Sequence, residues 1–250
     1  MTRLLTVVLP SYNEEVALSR LFPQFESLAS EIGEELSLVV VDDGSRDGTS
    51  KVARDWTGVT VIKTITFPEN RGYGTALEQG VVAAAQSASP EDLIATMDAD
   101  DTHDPRYLIS MIQQLDAREL DVVIASRYAA GGKEEGVSWD RKVLSHGASW
   151  FYKRVFDLPE VSDYSCGYRL FRAALIHRSL KERGNLGLDS GFQASGELLL
   201  RLREQTHAIG EVPFELHYER KPTRSKMQKL KTVVGTLRFL KEVRKTVRSL

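Results

Sequence analysis

Cysteine is almost absent from this sequence: Cys166 is the only one among 250 residues. One cysteine cannot form a disulfide within the chain, which excludes the small secreted scaffolds that disulfides hold together. With 42% hydrophobic and 27% charged residues, the composition instead suits one large globular domain with a buried core. We expect Cys166 to be a small core residue in a reducing compartment.

Long apolar runs are lacking as well. No stretch approaches the roughly 18 residues that cross a bilayer. Only Arg3 precedes an apolar strand that starts at Leu4, and no apolar region there is long enough for a signal peptide. We therefore expect a cytoplasmic protein, either free or peripheral on the cytoplasmic face of a membrane.

Aromatic residues are scarce where positive charge is concentrated. Residues 218–250 carry 11 Lys and Arg against two Glu, a balance of +9, whereas the rest of the chain has a balance of −11. Phe239 is the only aromatic residue after Tyr218, which is too few for stacking on bases, so no nucleic-acid partner is expected. An acidic body with a basic tail indicates contact of the tail with phosphate or lipid.

The basic tail has two predicted parts. Residues 220–226 are polar, basic and interrupted by Pro222, which predicts a mobile loop. Apolar residues recur at steps of three and four through residues 230–250, which predicts an amphipathic helix. Such a helix lies in a membrane interface or covers the sheet, and both alternatives need the same pattern. We divide the chain into a main domain, residues 1–217, and a basic loop and helix, residues 218–250.

Apolar strands alternate with helical patterns over the first 127 residues. Strands are predicted at residues 4–9, 36–41, 59–65, 93–97 and 121–126, and a further alternating strand at residues 209–218. Helices are predicted between them and over residues 141–156. This alternation predicts an α/β fold with a mainly parallel sheet flanked by helices. Ligands bind such sheets outside the carboxyl ends of the strands.

Carboxylates follow two of these strands. Asp42 and Asp43 end the second strand, and Asp98 and Asp100 follow the fourth. Residues two apart in an extended chain point the same way, and paired carboxylates suit a hard divalent cation that is also bound by substrate phosphates. The alternative is an ordinary acidic turn after a strand. His103 beside this cluster is expected to be exposed rather than bound to metal or phosphate.

Two turns between strands and helices have further predicted roles. Ser11 or Asn13 is expected to cap the first helix. The glycine-rich turn over residues 70–74 precedes a helical pattern and offers backbone N–H groups to an anion. It is not the Gly-x-Gly-x-x-Gly fingerprint of dinucleotide-binding proteins.

Five motifs taken together resemble the family 2 glycosyltransferases with a GT-A (Rossmann-like) fold. Within that family the chain is similar to the polyprenyl-phosphate transferases of the dolichyl-phosphate mannosyltransferase type. The motifs lie at residues 8–14 (VLPSYNE), 41–49 (VDDGSRDGT), 70–72 (NRG), 97–100 (MDAD) and 126–128 (SRY). On this resemblance, residues 1–217 are a GT-A catalytic domain.

The resemblance also implies residue roles. The base and ribose of a nucleotide sugar, of the GDP-mannose or UDP-glucose type, would be held by Pro10, Tyr12, Glu14, Val41 and Asp43. The ribose and diphosphate would lie at Asp98, Ala99 and Asp100, with Asp98 and Asp100 binding Mg²⁺ or Mn²⁺. Arg127 would pair with phosphate, and Arg220 and Lys226 would clamp the diphosphate from the mobile loop. The catalytic residues would be Asp100 and Arg127, and Asp163 is added as a candidate by its position in the chain.

The predicted reaction moves a hexose, mannose or glucose, to a polyprenyl phosphate with inversion at the anomeric carbon. A phosphate acceptor needs no general base, because a phosphate monoester is mostly dianionic at pH 7. The alternative acceptor is a sugar hydroxyl, which needs a base, and Asp163 is then the candidate. A nucleotidyltransferase is a further alternative. Expected partners are the membrane surface and a membrane-anchored subunit.

Overall fold

A computed structural model describes residues 2–58, 60–135, 161–189, 191 and 193–220. The strands there are β1 (Leu4–Ser11), β2 (Glu35–Asp42), β3 (Val61–Thr66), β4 (Leu93–Thr96), β5 (Val122–Ser126), β6 (Lys133–Glu135), β7 (Arg169–Arg172), β8 (Ile209–Pro213) and β9 (Glu215–His217). The helices are α1 (Glu15–Glu31), α2 (Thr49–Arg54), α3 (Tyr73–Ala85), α4 (Tyr107–Ala117), α5 (Ala173–Arg183) and α6 (Ala194–Gln205), with a 3₁₀ turn at Tyr218–Arg220.

The main sheet confirms the predicted α/β fold. Within the described part of the chain it has seven strands in the order β3-β2-β1-β4-β7-β5-β8. All neighbouring pairs are parallel except those of β7, which runs antiparallel to β4 and β5. In the β7 register, Leu170 lies opposite Ala95 on one side and Val123 on the other. The sequence predicts that residues 162–172 are polar and then strand-like, but it does not predict that this strand runs antiparallel between β4 and β5.

The core lies on both faces of the central strands. Leu5, Val8 and Leu9 of β1 are fully buried, which is why this strand is apolar on both faces. Helix α1 covers the sheet with residues at helical spacing, including Phe22 and Phe25. A fully buried side chain of this size contributes about 1.5–3 kcal/mol to stability. This packing fixes the strand ends, and therefore the loops that follow them.

The predicted strand over residues 209–218 is two strands in two sheets. Strand β8 pairs with β5 in the main sheet, whereas β9 pairs with β6 in a separate parallel pair. Pro213 ends β8, since it has no N–H to donate to a ladder, and the buried Phe214 fills the gap between the two strands. The backbone N–H of His217 donates to the carbonyl of Thr102 at 3.1 Å. This bond attaches β9 to the acidic segment after β4.

Several predicted elements lie outside the described residues. They are the helix over residues 141–156, most of the basic loop, and the amphipathic helix over residues 230–250. In the part of the chain that is described, no helix is both long and apolar enough to cross a membrane.

Candidate active site

The loops that follow β1 and β2 are joined to each other by hydrogen bonds. The Asn13 amide oxygen accepts the N–H of Arg46 at 2.8 Å, and the Asn13 N–H donates to the Ser45 hydroxyl at 2.9 Å. The N–H of Glu14 donates to the Thr49 hydroxyl at 2.8 Å. Two strand ends therefore present one connected surface.

The predicted cap of the first helix is wrong. Glu14, not Ser11 or Asn13, is the residue at the cap position, and its own side chain makes no capping hydrogen bond. The first N–H of the helix, that of Glu15, donates to Asp47 Oδ2 at 3.3 Å. The Ser11 hydroxyl donates to the carbonyl of Leu9 at 3.0 Å instead, and Asn13 is turned towards the β2 loop in a left-handed conformation (φ 53°). The Asn13 side chain, which was expected to cap the helix, instead joins the two loops.

The residues predicted to hold the base and ribose lie together at this edge of the sheet. Pro10 and Val41 are opposite each other in the β1–β2 register, and Glu14 is buried just beyond them. Val41 is itself fully buried, with its side chain facing Gly80 of α3. Any contact of Val41 with a nucleotide would therefore come from its backbone. Tyr12 is half-buried beside them.

Asp43 ties the β2 end to the glycine-rich turn. Its two carboxylate oxygens accept the N–H groups of Arg71 at 2.6 Å and of Gly72 at 2.9 Å. Burial raises the pKa of this carboxyl, and these backbone hydrogen bonds only partly oppose that effect. The turn does present N–H groups to an anion as predicted, and that anion is the carboxylate of Asp43.

The acidic segment after β4 lies at the next strand end. Asp98 is half-buried and Asp100 is buried. The Thr102 hydroxyl donates to Asp100 Oδ1 at 2.6 Å, which fixes the direction of that carboxylate. Ala99 between the two acids is buried. Asp101 adopts a left-handed conformation (φ 64°), and its Oδ1 accepts the Gln24 side-chain amide at 3.1 Å, so it points towards α1.

His103 is buried, so the expectation of an exposed histidine is wrong. Its ring stacks on Tyr168 with centroids 5.2 Å apart and meets the edge of Phe214 at the same separation. Its Nδ1 accepts the N–H of Asp98 at 3.3 Å. The histidine therefore supports the acidic segment from behind, where packing against aromatic rings decides its position.

The donor set fits a metal ion that a substrate helps to bind. Among the described residues, no group of three or more His, Cys, Asp or Glu side chains could hold a metal ion alone. Asp98 and Asp100 would supply one or two oxygens, and magnesium-type sites are commonly completed by water and substrate phosphates. The residues present therefore suit a cation that arrives with a diphosphate.

One cluster at the site was missed by sequence reasoning. A Cβ added to Gly167 would lie 3.4 Å from Asp98 Oδ1, 3.4 Å from the Ser195 hydroxyl and 3.0 Å from the Tyr73 hydroxyl. Tyr73 and Ser195 are hydrogen-bonded at 3.0 Å, and burial, followed by the charge of Asp98, raises the pKa of Tyr73. These groups come from separate elements of the chain, so no local motif indicates them.

Arg127 is held by carboxylates at the end of β5. Its Nε and Nη2 donate to Asp163 at 2.7 and 2.8 Å, and its Nη1 lies 3.1 Å from Glu134. Glu211 of β8 in turn accepts the N–H groups of Ser162 and Asp163, each at 2.8 Å. The predicted phosphate ligand is thus fixed by acids of the chain itself.

A general-base role for Asp163 conflicts with its surroundings. Its carboxylate is fully buried, and Arg127, Ser165 and the N–H of Cys166 all donate to it. Burial raises the pKa of this carboxyl, but the charge and hydrogen bonds of Arg127 outweigh that effect and leave it below its ordinary value. A buried, strongly stabilised carboxylate does not take a proton from a hydroxyl at neutral pH. In this structure it positions Arg127.

The predicted diphosphate clamp is described in part. Arg220 ends the 3₁₀ turn after β9 and lies near Asp104 in a cleft beside α1. Lys226 lies outside the described residues. Because β9 is hydrogen-bonded to Thr102, Arg220 is brought to the acidic segment, but on its α1 side.

A mainly parallel sheet flanked by helices, with carboxylates at the strand ends, is the arrangement found in GT-A-type α/β proteins. The comparison with solved structures agrees. Glucosyl-3-phosphoglycerate synthase from Mycobacterium tuberculosis superposes with a TM-score of 0.65 at 18% identity, over 96% of this chain and 78% of that one. The sequence profile described as Glycosyl transferase family 2 matches residues 6–180, and the chain belongs to that family.

Three curated relatives are similar to this chain. Undecaprenyl-phosphate 4-deoxy-4-formamido-L-arabinose transferase from Aeromonas hydrophila is 28% identical over 178 residues, which is 71% of this chain and 52% of that protein. Dodecaprenyl-phosphate galacturonate synthase from Rhizobium johnstonii is 30% identical over 174 residues, which is 69% of this chain and 48% of that protein. Dolichol-phosphate mannosyltransferase from Pyrococcus furiosus is 29% identical over 209 residues, which is 84% of this chain and 55% of that protein. The chain therefore spans about half the length of the curated relatives it matches.

Proposed function

We propose that this chain is an inverting glycosyltransferase that moves a sugar from a nucleotide-diphosphate sugar to a polyprenyl phosphate. The observation that carries the proposal is the meeting of carboxylates from the ends of β2 and β4 at one edge of the sheet, in a member of family 2. The names of three relatives support the acceptor, since they refer to dodecaprenyl phosphate, undecaprenyl phosphate and dolichol phosphate.

The sugar is a finer part of the proposal. The relatives' names refer to galacturonate, 4-deoxy-4-formamido-L-arabinose and mannose, so they do not agree on one sugar. We propose a hexose, mannose or glucose, from a donor of the GDP-mannose or UDP-glucose type. The base and ribose of the donor would lie against Tyr12, Pro10 and the backbone of Val41.

The proposed cofactor is Mg²⁺ or Mn²⁺. The M. tuberculosis neighbour was crystallised with Mn²⁺ and UDP, which supports a divalent ion in this fold. Asp98 and Asp100 would hold the ion, with Thr102 fixing the direction of Asp100. When bound, it stabilises the negative charge of the departing diphosphate.

Arg127 and Asp163 act as a unit in the proposed reaction. Asp163 holds the guanidinium in place, so that Arg127 contributes positive charge to the site without having to be ordered on binding. A phosphate that pairs with Arg127 competes with Glu134 for Nη1. The acceptor phosphate attacks without a general base. This agrees with the structure around Asp163, because both oxygens of that carboxylate already accept hydrogen bonds from Arg127.

The basic tail is the proposed membrane contact. Residues 218–250 carry a balance of +9 and would meet anionic lipid, while residues 1–217 form the catalytic domain. We propose a peripheral location on the cytoplasmic face, where the polyprenyl phosphate is presented, with a membrane-anchored partner subunit as an additional support.

A transfer assay tests the proposal. Purified protein is mixed with Mg²⁺ or Mn²⁺, a panel of radiolabelled nucleotide sugars and a short polyprenyl phosphate, and then extracted into organic solvent. Label in the organic phase, lost on chelation and in Asp100→Asn, is the expected result and names the donor. Release of nucleoside diphosphate only when soluble glycans are added, with no labelled lipid, would replace the lipid acceptor by a sugar hydroxyl.

A further inference from the structure

A cleft of about 590 Å³ opens beside the acidic segment, between α1 and residues 101–106. We propose that this cleft binds a phosphate-bearing ligand at a site separate from the proposed donor site. Its size falls within the range of small-ligand sites in proteins. Its polar lining includes three arginines, two aspartates and a glutamine: Arg20, Arg106, Arg220, Asp101, Asp104 and Gln24.

The charges that a ligand meets in this cleft are positive. The side chains of Arg20 and Arg106 are 55% and 69% exposed, whereas those of Asp101 and Asp104 are only 7% and 10% exposed. The carboxylates are thus at the back of the cleft and the guanidinium groups at its opening. Arg220 is exposed as well.

Both carboxylates are already bound by groups of the chain. Asp104 accepts the backbone N–H of Arg106 at 3.0 Å and its Nη2 at 2.7 Å. Asp101 accepts the Gln24 amide at 3.1 Å, while Arg20 stays 3.9 Å away. Asp104 therefore neutralises much of the charge of Arg106, whereas Arg20 makes only a long contact with Asp101. With three arginines against two acids, the balance of the lining remains positive.

The chemistry of the lining selects the class of ligand. A guanidinium donates in a planar fork that matches phosphate oxygens, and several guanidinium groups together bind a phosphate better than any one of them. Pro23 is the single apolar residue among the described lining, so a prenyl chain has little to contact inside the cleft. The ligand is therefore a phosphate group, free or carried at the end of a larger molecule.

The orientation of adjacent acids separates this cleft from the proposed donor site. Asp100 is fixed by Thr102, whereas the left-handed backbone at Asp101 turns the next carboxylate towards Gln24 of α1. The cleft is on the α1 side of the segment. Arg220 lines the cleft and is also the residue that the family resemblance assigns to the diphosphate. Arg220 is therefore not substituted in the variants that test the cleft.

Calorimetric titration of the full chain with inorganic phosphate tests the proposal. The double variant Arg20→Gln/Arg106→Gln is compared with Arg183→Gln, which lies outside the cleft and pairs with Glu204, and with Asp98→Asn. Each lost arginine is expected to weaken phosphate binding about fivefold, the upper range for an exposed charge pair, so the double variant loses about 25-fold. The two single variants should bind as the unchanged protein does.

Two results would overturn the proposal. One is equal phosphate affinity in the double variant and in Arg183→Gln. The other, in a parallel titration with Mn²⁺ present, is binding that is lost in Asp98→Asn but kept in the double variant, which would place the phosphate at the donor site. Unchanged circular dichroism and unfolding midpoints establish that each variant is folded. Neither result depends on sugar transfer, so the proposed function can fail independently.

A competition experiment with lipid vesicles identifies the source of the phosphate group. Phosphatidylcholine vesicles with and without phosphatidic acid are added to compete with inorganic phosphate. Competition by phosphatidic acid that disappears in the double variant identifies a lipid headgroup. A failure of these vesicles to compete, with Arg20- and Arg106-dependent binding of free phosphate retained, identifies a soluble phosphate. Both results support the cleft as a phosphate site, whereas vesicle binding through the basic tail would not depend on the two arginines.

Discussion

The amino edge and the carboxyl edge of the main sheet both carry charged side chains, but they use them differently. At the amino edge, Arg3 pairs with Glu34 and with Asp116 at 2.7 Å, and Arg172 lies 3.4 Å from Asp121. These acids meet cations of the chain itself. Their charges are neutralised locally, and the network holds helix and strand ends together.

At the carboxyl edge, neutral donors hold several of the carboxylates. Backbone N–H groups bind Asp43, and the Thr102 hydroxyl binds Asp100. Such donors fix the direction of a carboxylate without cancelling its charge. Arg127 with Asp163 and Arg106 with Asp104 are exceptions, because a cation of the chain pairs with the carboxylate there. The difference indicates which edge is built for stability and which keeps charge for a ligand.

The largest expected effect comes from the buried pair. Asp163→Asn removes the bidentate carboxylate partner of the largely buried Arg127 and leaves only the Glu134 contact, and breaking one side of such a pair costs about 3–5 kcal/mol. Arg3→Gln at the amino edge removes contacts to partly exposed acids and should cost about 1 kcal/mol or less. Urea unfolding of both variants measures the difference. Equal losses would mean that the two edges are equally stabilised by ion pairs.

Activity should separate the two ends of one strand. Asp98→Asn at the carboxyl end of β4 is expected to reduce sugar transfer by about 100-fold or more, because it weakens binding of the proposed cation that stabilises the charge of the departing diphosphate. Asp92 at the amino end accepts the N–H groups of Leu4 at 2.8 Å and Ser89 at 2.7 Å, so Asp92→Asn should lower the unfolding midpoint with little change in transfer. Initial rates with saturating donor, measured on both variants, provide the comparison. A similar loss of activity in Asp92→Asn would remove the functional distinction between the edges.

Two glycines with positive φ test how tightly each edge is packed. Gly33 (φ 74°) precedes β2 and a Cβ there meets nothing within 4 Å, so Gly33→Ala should cost about 1 kcal/mol from backbone strain alone. Gly44 (φ 68°) follows β2, and a Cβ there would be 2.6 Å from the backbone nitrogen of Asn70. Gly44→Ala should therefore destabilise the protein clearly more. Chemical unfolding checks this order. The reverse order would show that the backbone at Asn70 moves away from residue 44 at little cost in free energy.

The smallest expected effect is a difference in pH dependence. The hydrogen bond from Arg3 lowers the pKa of Asp116. The ionised Asp116 therefore stabilises the fold at pH values above the ordinary aspartate pKa of about 4. This stabilisation is lost as the pH falls through the lower pKa of the folded state. Burial raises the pKa of Asp43, so its effect on folding stability depends on pH in the opposite direction. The stabilisation is greatest at low pH, where Asp43 is protonated, and declines as the pH rises through the raised pKa of the folded state. Carboxyl ¹³C titration by NMR should place Asp43 above and Asp116 below the ordinary value. Identical titration of the two groups would contradict the comparison.

The sequence was sufficient for the strands that alternate with helices. The apolar runs before Pro10, Asp42 and Asp98 predicted β1, β2 and β4 and the edge at which their carboxyl ends meet. They did so because a strand buried on both faces has a distinct composition and ends where carboxylates begin. The acids that follow these strands indicated the edge at which a ligand is proposed to bind.

The remaining features depend on contacts between distant segments. Strand β7 has four residues, and nothing local indicates that Leu170 fits between Ala95 and Val123 in the opposite direction. The burial of His103 depends on rings from residues 168 and 214. The break between β8 and β9 did have a signal, since Pro213 has no N–H to donate to a continuing strand ladder.

The most direct test of the account is a crystal structure with Mn²⁺ and a nucleoside diphosphate, with data collected for the anomalous signal of manganese. The account predicts one strong anomalous peak within bonding distance of Asp98 or Asp100, with the diphosphate completing its coordination. A manganese peak elsewhere, with the diphosphate bound away from the carboxyl ends of β2 and β4, would contradict the assignment of this edge as the donor site.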